Sequence, residues 1–297
     1  VQGYDAEGRR TTRTDEAGHT TTSTYDALGR VTKTTFADGT FTTIAYDPAG
    51  QQLSMTDERG VTTTYAYDLA GRRLCTTNPL GETTTMTYDA AGRTTATTDA
   101  LGHTSTTTYD NAGRVVSTTL PTGLTTTYEY DAAGQKLAEI DALSRRSEWA
   151  YDELGRLRES RDQANQAWAF GYDEVGNMVQ QTDALGRITR FGFDKMQRQV
   201  SRTLPLGMTE TFTYDASGQK SAKKDFNGYT TTYGYDARGR LVAKVPDPAK
   251  NEASATFGYT PTGRKEQAAN GSGIVRYTYD LRDRMVKKQM PAGTLSY

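Results

Sequence analysis

One phrase, Tyr-Asp-x-x-Gly-Arg, returns along the whole chain at a fixed spacing, and this repetition limits the folds open to it. Its aromatic residue recurs every 21 residues from Tyr4 to Tyr235, and copies at Tyr259 and Tyr279 depart from that spacing. A fixed period in this range is typical of proteins that stack one supersecondary unit many times. A catalytic site needs its residues only once, so the repetition indicates an architectural role.

The aromatic residues of the phrase are named the rungs. They are Tyr4, Tyr25, Tyr46, Tyr67, Tyr88, Tyr109, Tyr130, Tyr151, Tyr172, Phe193, Tyr214, Tyr235 and Tyr279, with Tyr259 at the irregular step before the last. We predict that each rung has a structural role, because it occupies the same place in every repeat.

Two turn signals divide each repeat. One Asp-x-x-Gly follows the rung, as in Asp26 to Gly29, and a second lies ten or eleven residues away, as in Asp57 to Gly60. The Asp accepts hydrogen bonds from backbone amides ahead of it, and the Gly tolerates positive φ. A type I turn followed by a left-handed Gly commonly closes a β-hairpin with a bulge.

The segments between turns have the length of β-strands. They hold six or seven residues, such as Thr40–Tyr46, rich in Thr, Val, Leu and Tyr, and none has a sustained helical period. The chain is therefore predicted to be all-β, a repetitive antiparallel β-hairpin meander. Open twisted sheets seldom exceed about ten strands, so we expect the meander to coil.

The residue two before each rung shares its strand face, because side chains alternate along a strand. From Tyr128 onward every such residue is aromatic, whereas earlier repeats place Thr107, Ser23 or Met86 there. Aromatic cross-strand pairs contribute roughly 0.2–1 kcal/mol each. We therefore expect the early repeats to be held together less tightly.

We predict one β-shell segment over residues 1–297. The repeats are in phase over 1–245, an insertion at 246–254 is interpreted as a longer surface loop, and irregular repeats follow over 255–297. Because the sequence begins and ends inside a repeat, we expect it to be a segment of a longer protein.

Composition argues against several classes of function. The 35 basic and 36 acidic side chains are balanced and form no long basic run, so neither nucleic-acid binding nor membrane binding is expected. No apolar stretch is long enough to insert into a membrane, and no signal-peptide pattern is visible. Cys75 is the only cysteine, which excludes an internal disulfide.

No group of residues predicts catalysis, a metal or a cofactor. The many Asp residues could suggest calcium, but each turn offers one carboxylate and calcium needs six to eight oxygens, so turn chemistry is favoured. His19 and His103 follow the Gly of the second turn, where we expect exposed side chains rather than metal ligands. Cys75 lies mid-strand, which favours packing over nucleophilic chemistry. We predict that the chain is not an enzyme.

Two sets of side chains have both a structural and a binding interpretation. The Arg after the turn Gly could bind polyanions or glycans, or could bond the turn carbonyls and the Asp of its own or a neighbouring hairpin. Trp149 and Trp168 are candidate glycan contacts, although a packed sheet face explains them more simply. Asn270-Gly271-Ser272 matches a glycan acceptor and equally a turn.

The repeated Tyr-Asp-x-x-Gly-Arg phrase, in phase over twelve copies, resembles the YD-repeat or Rhs family. That family includes bacterial Rhs polymorphic toxins, B and C components of Tc toxins, wall-associated proteins and teneurins. The resemblance implies a spiral β-sheet shell that, in bacterial members, encloses a C-terminal toxin domain of the same polypeptide. It implies a protein secreted or at the bacterial cell surface, or cytoplasmic before export by a secretion system.

One departure from the family concerns self-cleavage. Bacterial shells usually end in paired Asp-Pro-x-Gly motifs, but here Asp47-Pro48-Ala49-Gly50 lies in register as an ordinary turn, and Asp247 is followed by Pro-Ala-Lys. No cleavage residues are therefore predicted. The expected partners are a C-terminal toxin or cargo domain and adjacent shell repeats. The alternative is a surface adhesin that binds glycans or a protein through aromatic and Arg stripes.

Overall fold

The computed structural model describes residues 1–297 and is all-β, as predicted. It contains 29 strands and one 3₁₀ turn, Pro248–Lys250. Two compact units divide the chain, a first unit over Val1–Arg145 and a second over Arg146–Tyr297. Each is described by itself.

The first unit is a meander in which every strand pairs antiparallel with the next. Most six-residue strands end at a rung, and five-residue strands alternate with them. The strands are β1 (Gln2–Tyr4), β2 (Arg10–Thr14), β3 (Thr20–Tyr25), β4 (Val31–Thr35), β5 (Phe41–Tyr46), β6 (Gln52–Thr56), β7 (Thr62–Tyr67), β8 (Arg73–Thr77), β9 (Thr83–Tyr88), β10 (Thr94–Thr98), β11 (Thr104–Tyr109), β12 (Val115–Thr119), β13 (Thr125–Tyr130) and β14 (Lys136–Ile140).

The second unit repeats this antiparallel order from strand to strand. Its strands are β15 (Arg146–Tyr151), β16 (Leu157–Arg161), β17 (Ala167–Tyr172), β18 (Met178–Thr182), β19 (Ile188–Phe193), β20 (Gln199–Thr203), β21 (Thr209–Tyr214), β22 (Lys220–Lys224), β23 (Thr230–Tyr235), β24 (Leu241–Val245), β25 (Ala255–Tyr259), β26 (Lys265–Asn270), β27 (Gly273–Tyr279), β28 (Met285–Met290) and β29 (Gly293–Ser296).

The segment after β24 holds the 3₁₀ turn. Asp247 caps it, accepting a hydrogen bond from the Ala249 amide at 3.0 Å through one oxygen and from the Thr230 amide at 3.0 Å through the other. Lys250 reaches Asp225 at 3.0 Å. These contacts fasten the connection to the turn and strand that precede it.

The two hairpins of a repeat differ in register. After a rung the second strand carries an extra residue: Tyr88 pairs with Thr94 and Thr87 with Ala96, which leaves Thr95 unmatched. The hairpin at the second turn is regular, with Thr98 opposite Thr104. A bulge of this kind increases local strand twist. The sequence predicted the turn Gly, but not this second irregularity.

Two faces follow from the pairing. The tyrosine face carries the rungs, the residues two and four before them and their cross-strand partners; the threonine face carries the residues between. In β7 the tyrosine-face residues Thr63, Tyr65 and Tyr67 are half-buried, whereas the intervening ones are exposed. Very few side chains are deeply buried, among them Ala138 at 0% and Glu210 at 3% exposed. Cross-strand contact, rather than a thick core, therefore holds the strands together.

Candidate functional site: arginine clamps between repeats

The turn after each rung is built around its Asp. One Asp68 oxygen accepts hydrogen bonds from the amides of Ala70 and Arg72, each at 2.9 Å. The Gly71 amide donates to the Asp68 carbonyl at 3.0 Å, and Gly71 has a φ of 82°. This is the predicted type I turn with a left-handed Gly.

The Arg that follows the Gly joins its own repeat to the next. The Nε of Arg72 donates to the second oxygen of Asp68 at 2.7 Å, and Nη1 donates to the carbonyl of Asp89, the turn residue of the next repeat, at 3.0 Å. Its guanidinium also lies 5.0 Å from the ring centre of Tyr88. We name this set of contacts, made by one Arg to its own Asp and to the next rung and turn, a clamp.

The clamp recurs with little variation. All three contacts are made by Arg9, Arg30, Arg72, Arg93, Arg114 and Arg156, and by Arg240 with the Thr260 carbonyl in place of that of an Asp. Arg198 binds Asp194 and stacks on Tyr214 at 4.7 Å. Charge-assisted bonds and cation–π contacts are among the stronger polar interactions at a partly exposed site. These contacts within the sheet favour the structural interpretation of the clamp arginines over polyanion binding.

Some repeats replace the Arg with an amide. Gln219 donates to the Gly239 carbonyl at 2.8 Å, and Asn177 donates to Asp173 at 2.8 Å. Each thus makes one link of the clamp, and neither brings a charge to the next ring.

Charge and hydrogen bonding act on the clamp carboxylates. The backbone amide of Arg72, and then its guanidinium, lower the pKa of Asp68. For Asp89 and Asp110 the amide of the following Arg is again the largest cause that lowers the pKa. Hydrogen bonds to the ionised form favour it, so the clamp is fully formed only with a charged carboxylate.

Most rung tyrosines bond backward across the sheet. The Tyr88 hydroxyl donates to the Arg73 carbonyl at 2.7 Å, and Tyr109 donates to Thr94 at 2.8 Å, fifteen residues earlier in each case. The same bond is made by Tyr25, Tyr46, Tyr67, Tyr130, Tyr172, Tyr214 and Tyr235. Tyr4, which has no preceding repeat in the chain, is 59% exposed and bonds Gln2. Phe193 has no hydroxyl to donate.

The two histidines occupy the clamp position of the second turn. The His19 Nδ1 lies 3.2 Å from Asp15, and the His103 Nδ1 lies 3.1 Å from Asp99. The His103 side chain is 57% exposed, as expected, but the His19 side chain is only 21% exposed, so that expectation is wrong for His19. His103 makes the same contact and stays exposed, so the turn carboxylate is not what covers the His19 ring. Cys75 is a half-buried free thiol on β8, opposite Thr85.

The structure brings Trp149 and Trp168 to one face. Trp149 lies opposite Ser160, and Ser160 in turn lies opposite Trp168, so the three residues form a row across β15, β16 and β17. Both indoles are half-buried on the tyrosine face. Asn270 and Gly273 close a two-residue hairpin turn through Gly271-Ser272, which fits the turn interpretation of that tripeptide.

A charged cluster on the tyrosine face was missed by sequence reasoning. The Glu210 carboxylate lies 2.8 Å from the Nε of Arg202 and 2.6 Å from the Nζ of Lys223. These contacts are ion pairs whose angles do not meet those of a hydrogen bond. The sequence did contain a signal for an unusual residue: of all the residues that lie four places before a rung, only Glu210 is charged.

Comparison with known proteins identifies the repeat. A model of the RHS repeat family matches residues 4–40, 46–83, 76–104, 109–146, 151–188, 172–207 and 214–252. The chain belongs to the RHS repeat family. The predicted membership is thereby confirmed, and the clamp is the three-dimensional form of its repeated phrase.

Solved structures share the fold of this RHS repeat chain. A structure of the Photorhabdus luminescens Tc holotoxin pore is 17% identical with a TM-score of 0.58 and matches 97% of this chain. A TcdB2-TccC3-TEV crystal structure gives the same values, and TcdB2-TccC3 without its hypervariable C-terminal region gives 16% and 0.56. The chain spans 21% of each of these relatives. None of the curated protein sequences matches the chain. None of its helices has the length and apolar character that crossing a membrane requires.

Proposed function

We propose that residues 1–297 are a structural segment of a β-shell that encloses a C-terminal toxin or other cargo domain of the same polypeptide before delivery. The clamp carries this proposal: each Arg binds its own turn and also the carbonyl and ring of the next, as at Arg72, Asp89 and Tyr88. A sheet built in this way satisfies its backbone strand by strand and can be extended without limit. Similarity to chains of Tc toxin complexes supports the same function.

The partners follow from the same proposal. They are the cargo domain and adjacent shell repeats, and the protein would be secreted or displayed at a bacterial surface, or reside in the cytoplasm until export. We further propose that the segment itself has no enzymatic activity. Turnover by the purified protein in a panel of hydrolase assays would overturn this last point.

The enclosure proposal is tested in the full-length polypeptide that contains this chain. We expect its C-terminal domain to resist limited proteolysis and to become sensitive when Arg72, Arg93 and Arg114 are all replaced by Gln, because consecutive clamps are then lost. A matched control replaces three arginines outside the clamps, Arg10, Arg13 and Arg73, by Gln. A C-terminal domain that is cut as fast in the native protein as when it is expressed alone would contradict enclosure.

A second candidate, glycan binding by an adhesin, is favoured by one observation. The Trp149–Ser160–Trp168 row sets two indoles about 10 Å apart on one face, from the spacing of neighbouring strands. If the row binds sugar, Trp149→Ala with Trp168→Ala abolishes retention on a glycan array while Phe41→Ala, at an exposed ring on the other face, does not. Equal retention by all three proteins would remove this candidate.

A further inference from the structure

A row of cations begins part-way along the tyrosine face of the second unit. The cationic row consists of Arg202, Lys223, Lys244 and Lys288, which lie opposite Phe191, Phe212, Tyr233 and Tyr277. In the first unit the corresponding position is basic at Arg13, neutral from Thr34 to Thr118 and acidic at Glu139. One face of the same scaffold thus changes from hydroxyl to cationic chemistry.

The buried Glu210 holds the first two cations in place. It is 3% exposed and lies within 2.8 Å of Arg202 and 2.6 Å of Lys223. The Arg202 guanidinium also lies 5.1 Å from the ring centre of Phe226. One carboxylate between two cations leaves this cluster with a net charge of +1.

The other two cations have no internal partner. Lys244 is exposed and Lys288 half-exposed, and neither makes an ion pair or hydrogen bond within the chain. Adjacent basic residues in the sequence divide between the faces: Lys224 and Lys287 lie on the threonine face, and their neighbours Lys223 and Lys288 on the tyrosine face. The cationic row therefore presents about three uncompensated positive charges to solvent, by formal charge.

The spacing of the row selects an extended polypeptide. Its members lie on every second strand, β20, β22, β24 and β28, with Ala268 in the corresponding place on β26. Strands are about 4.8 Å apart, so one step of the row is about 9.6 Å. An extended polyproline II chain has three residues per turn at about 3.1 Å each, so it covers one step in one turn and returns every third side chain to the same side. A segment with a carboxylate at every third residue matches this row.

The aromatic residues beside the cationic row argue against nucleic acid as its ligand. Bases stack on open ring faces. Of the rings opposite the row, that of Phe212 has the Lys220 ammonium 4.2 Å from its centre; the neighbouring Phe257 ring, opposite Ala268, has that of Lys265 at 5.0 Å. Carboxylates need only cations, and Lys244 and Lys288 remain available.

We propose that the cationic row is a docking surface for an acidic, extended polypeptide segment. The negative groups of that segment bind Lys244 and Lys288 directly and the Arg202–Glu210–Lys223 cluster through its excess positive charge. The proposal goes beyond the shell function and does not depend on enclosure, because it concerns four cations of one sheet face and a separate peptide partner.

The test uses the purified chain and a labelled twelve-residue peptide with Glu at every third position and Gly, Ser or Thr between. Fluorescence anisotropy at low salt should show saturable binding that weakens about tenfold in Lys244→Gln with Lys288→Gln, because two contacts of the modest strength of surface ion pairs are lost. The matched control is Lys224→Gln with Lys287→Gln. It removes equal charge from the threonine face and should weaken binding less than twofold.

Three results would overturn the proposal. The first is an absence of peptide binding, and the second is an equal loss in both double variants, which would mean that only net charge matters. The third is tighter binding of oligo-dT than of the peptide, with the same dependence on Lys244 and Lys288, which would make the row a nucleic-acid surface. Circular dichroism of both double variants establishes that the strands are intact.

Discussion

The two units share one scaffold and differ in what the scaffold carries. Both have the same kind of turn and the same antiparallel pairing of successive strands, and both contain complete clamps, as at Arg72 and Arg156. The first unit has 12 basic and 18 acidic side chains, and the second has 23 and 18. The Asp, Gly, Arg and rung thus specify the backbone, and the residues between them are free to set the chemistry of each face.

The units also differ in how neighbouring strands are held together. Hydroxyl pairs join strands beside the second turn in both units, as at Thr98–Thr104 at 2.8 Å and Thr203–Thr209 at 2.9 Å, so the difference lies on the tyrosine face. In the second unit the tyrosine face has a continuous row of second rings, from Trp149 to Tyr277. Ring rows remove more apolar surface from water than threonines do, so we expect the second unit to be the more stable.

The largest expected effect is loss of stability in acid, which should affect both units alike. Acid acts on the clamp carboxylates of both units, because backbone amides and guanidinium groups lower the pKa of Asp68 and Asp110 in the first and of Asp152 and Asp236 in the second. A lowered folded pKa gives stability that is present above the unfolded value and is lost as pH falls through the folded value.

Both units should therefore lose stability together below about pH 4, the pKa range of unfolded Asp. Circular dichroism with hydrogen exchange along an acid titration measures this. Unfolding of one unit above pH 5, with the other intact, would show that their clamps are not equivalent.

The next effect separates the units. Replacing Phe191 with Ala removes a half-buried ring on β19 and should lower the free energy of unfolding of the second unit by about 2 kcal/mol. The matched change in the first unit, Thr107→Ala, should cost less than about 0.5 kcal/mol. Urea unfolding monitored by exchange in each unit compares them. Equal costs would mean that the rings add nothing to stability.

A smaller effect is expected when a ring of the kind found in the second unit is added to the first. Thr107→Phe places a ring on β11 opposite Thr118, where the second unit has aromatic residues. We expect the first unit to gain about 0.5 kcal/mol, within the range of aromatic cross-strand pairs. Thr106→Phe, on the opposite face, is the control and should give no gain. A larger gain from the control would show that the tyrosine face is not the ring-binding face.

The strands and turns could be predicted because their signals are local. Asp-x-x-Gly specifies each turn. The Arg that follows it is next to that turn in the sequence, so the turn Asp was an expected partner for its side chain. The bulge opposite each rung, as at Thr95, could not be predicted, because it depends on how two strands twist together. The contacts of Glu210 could not be predicted for a similar reason, since Arg202 and Lys223 reach it only through the register of three strands.

The central claim is that each repeat is clamped to the one after it. Hydrogen exchange in an Arg93→Gln variant tests this claim most directly. Arg93 contacts the Asp110 carbonyl and the Tyr109 ring, so we predict faster exchange at the β11–β12 hairpin and little change at the β7–β8 hairpin. Exchange that is unchanged, or that rises equally on both sides of Arg93, would contradict the clamp as the link between repeats.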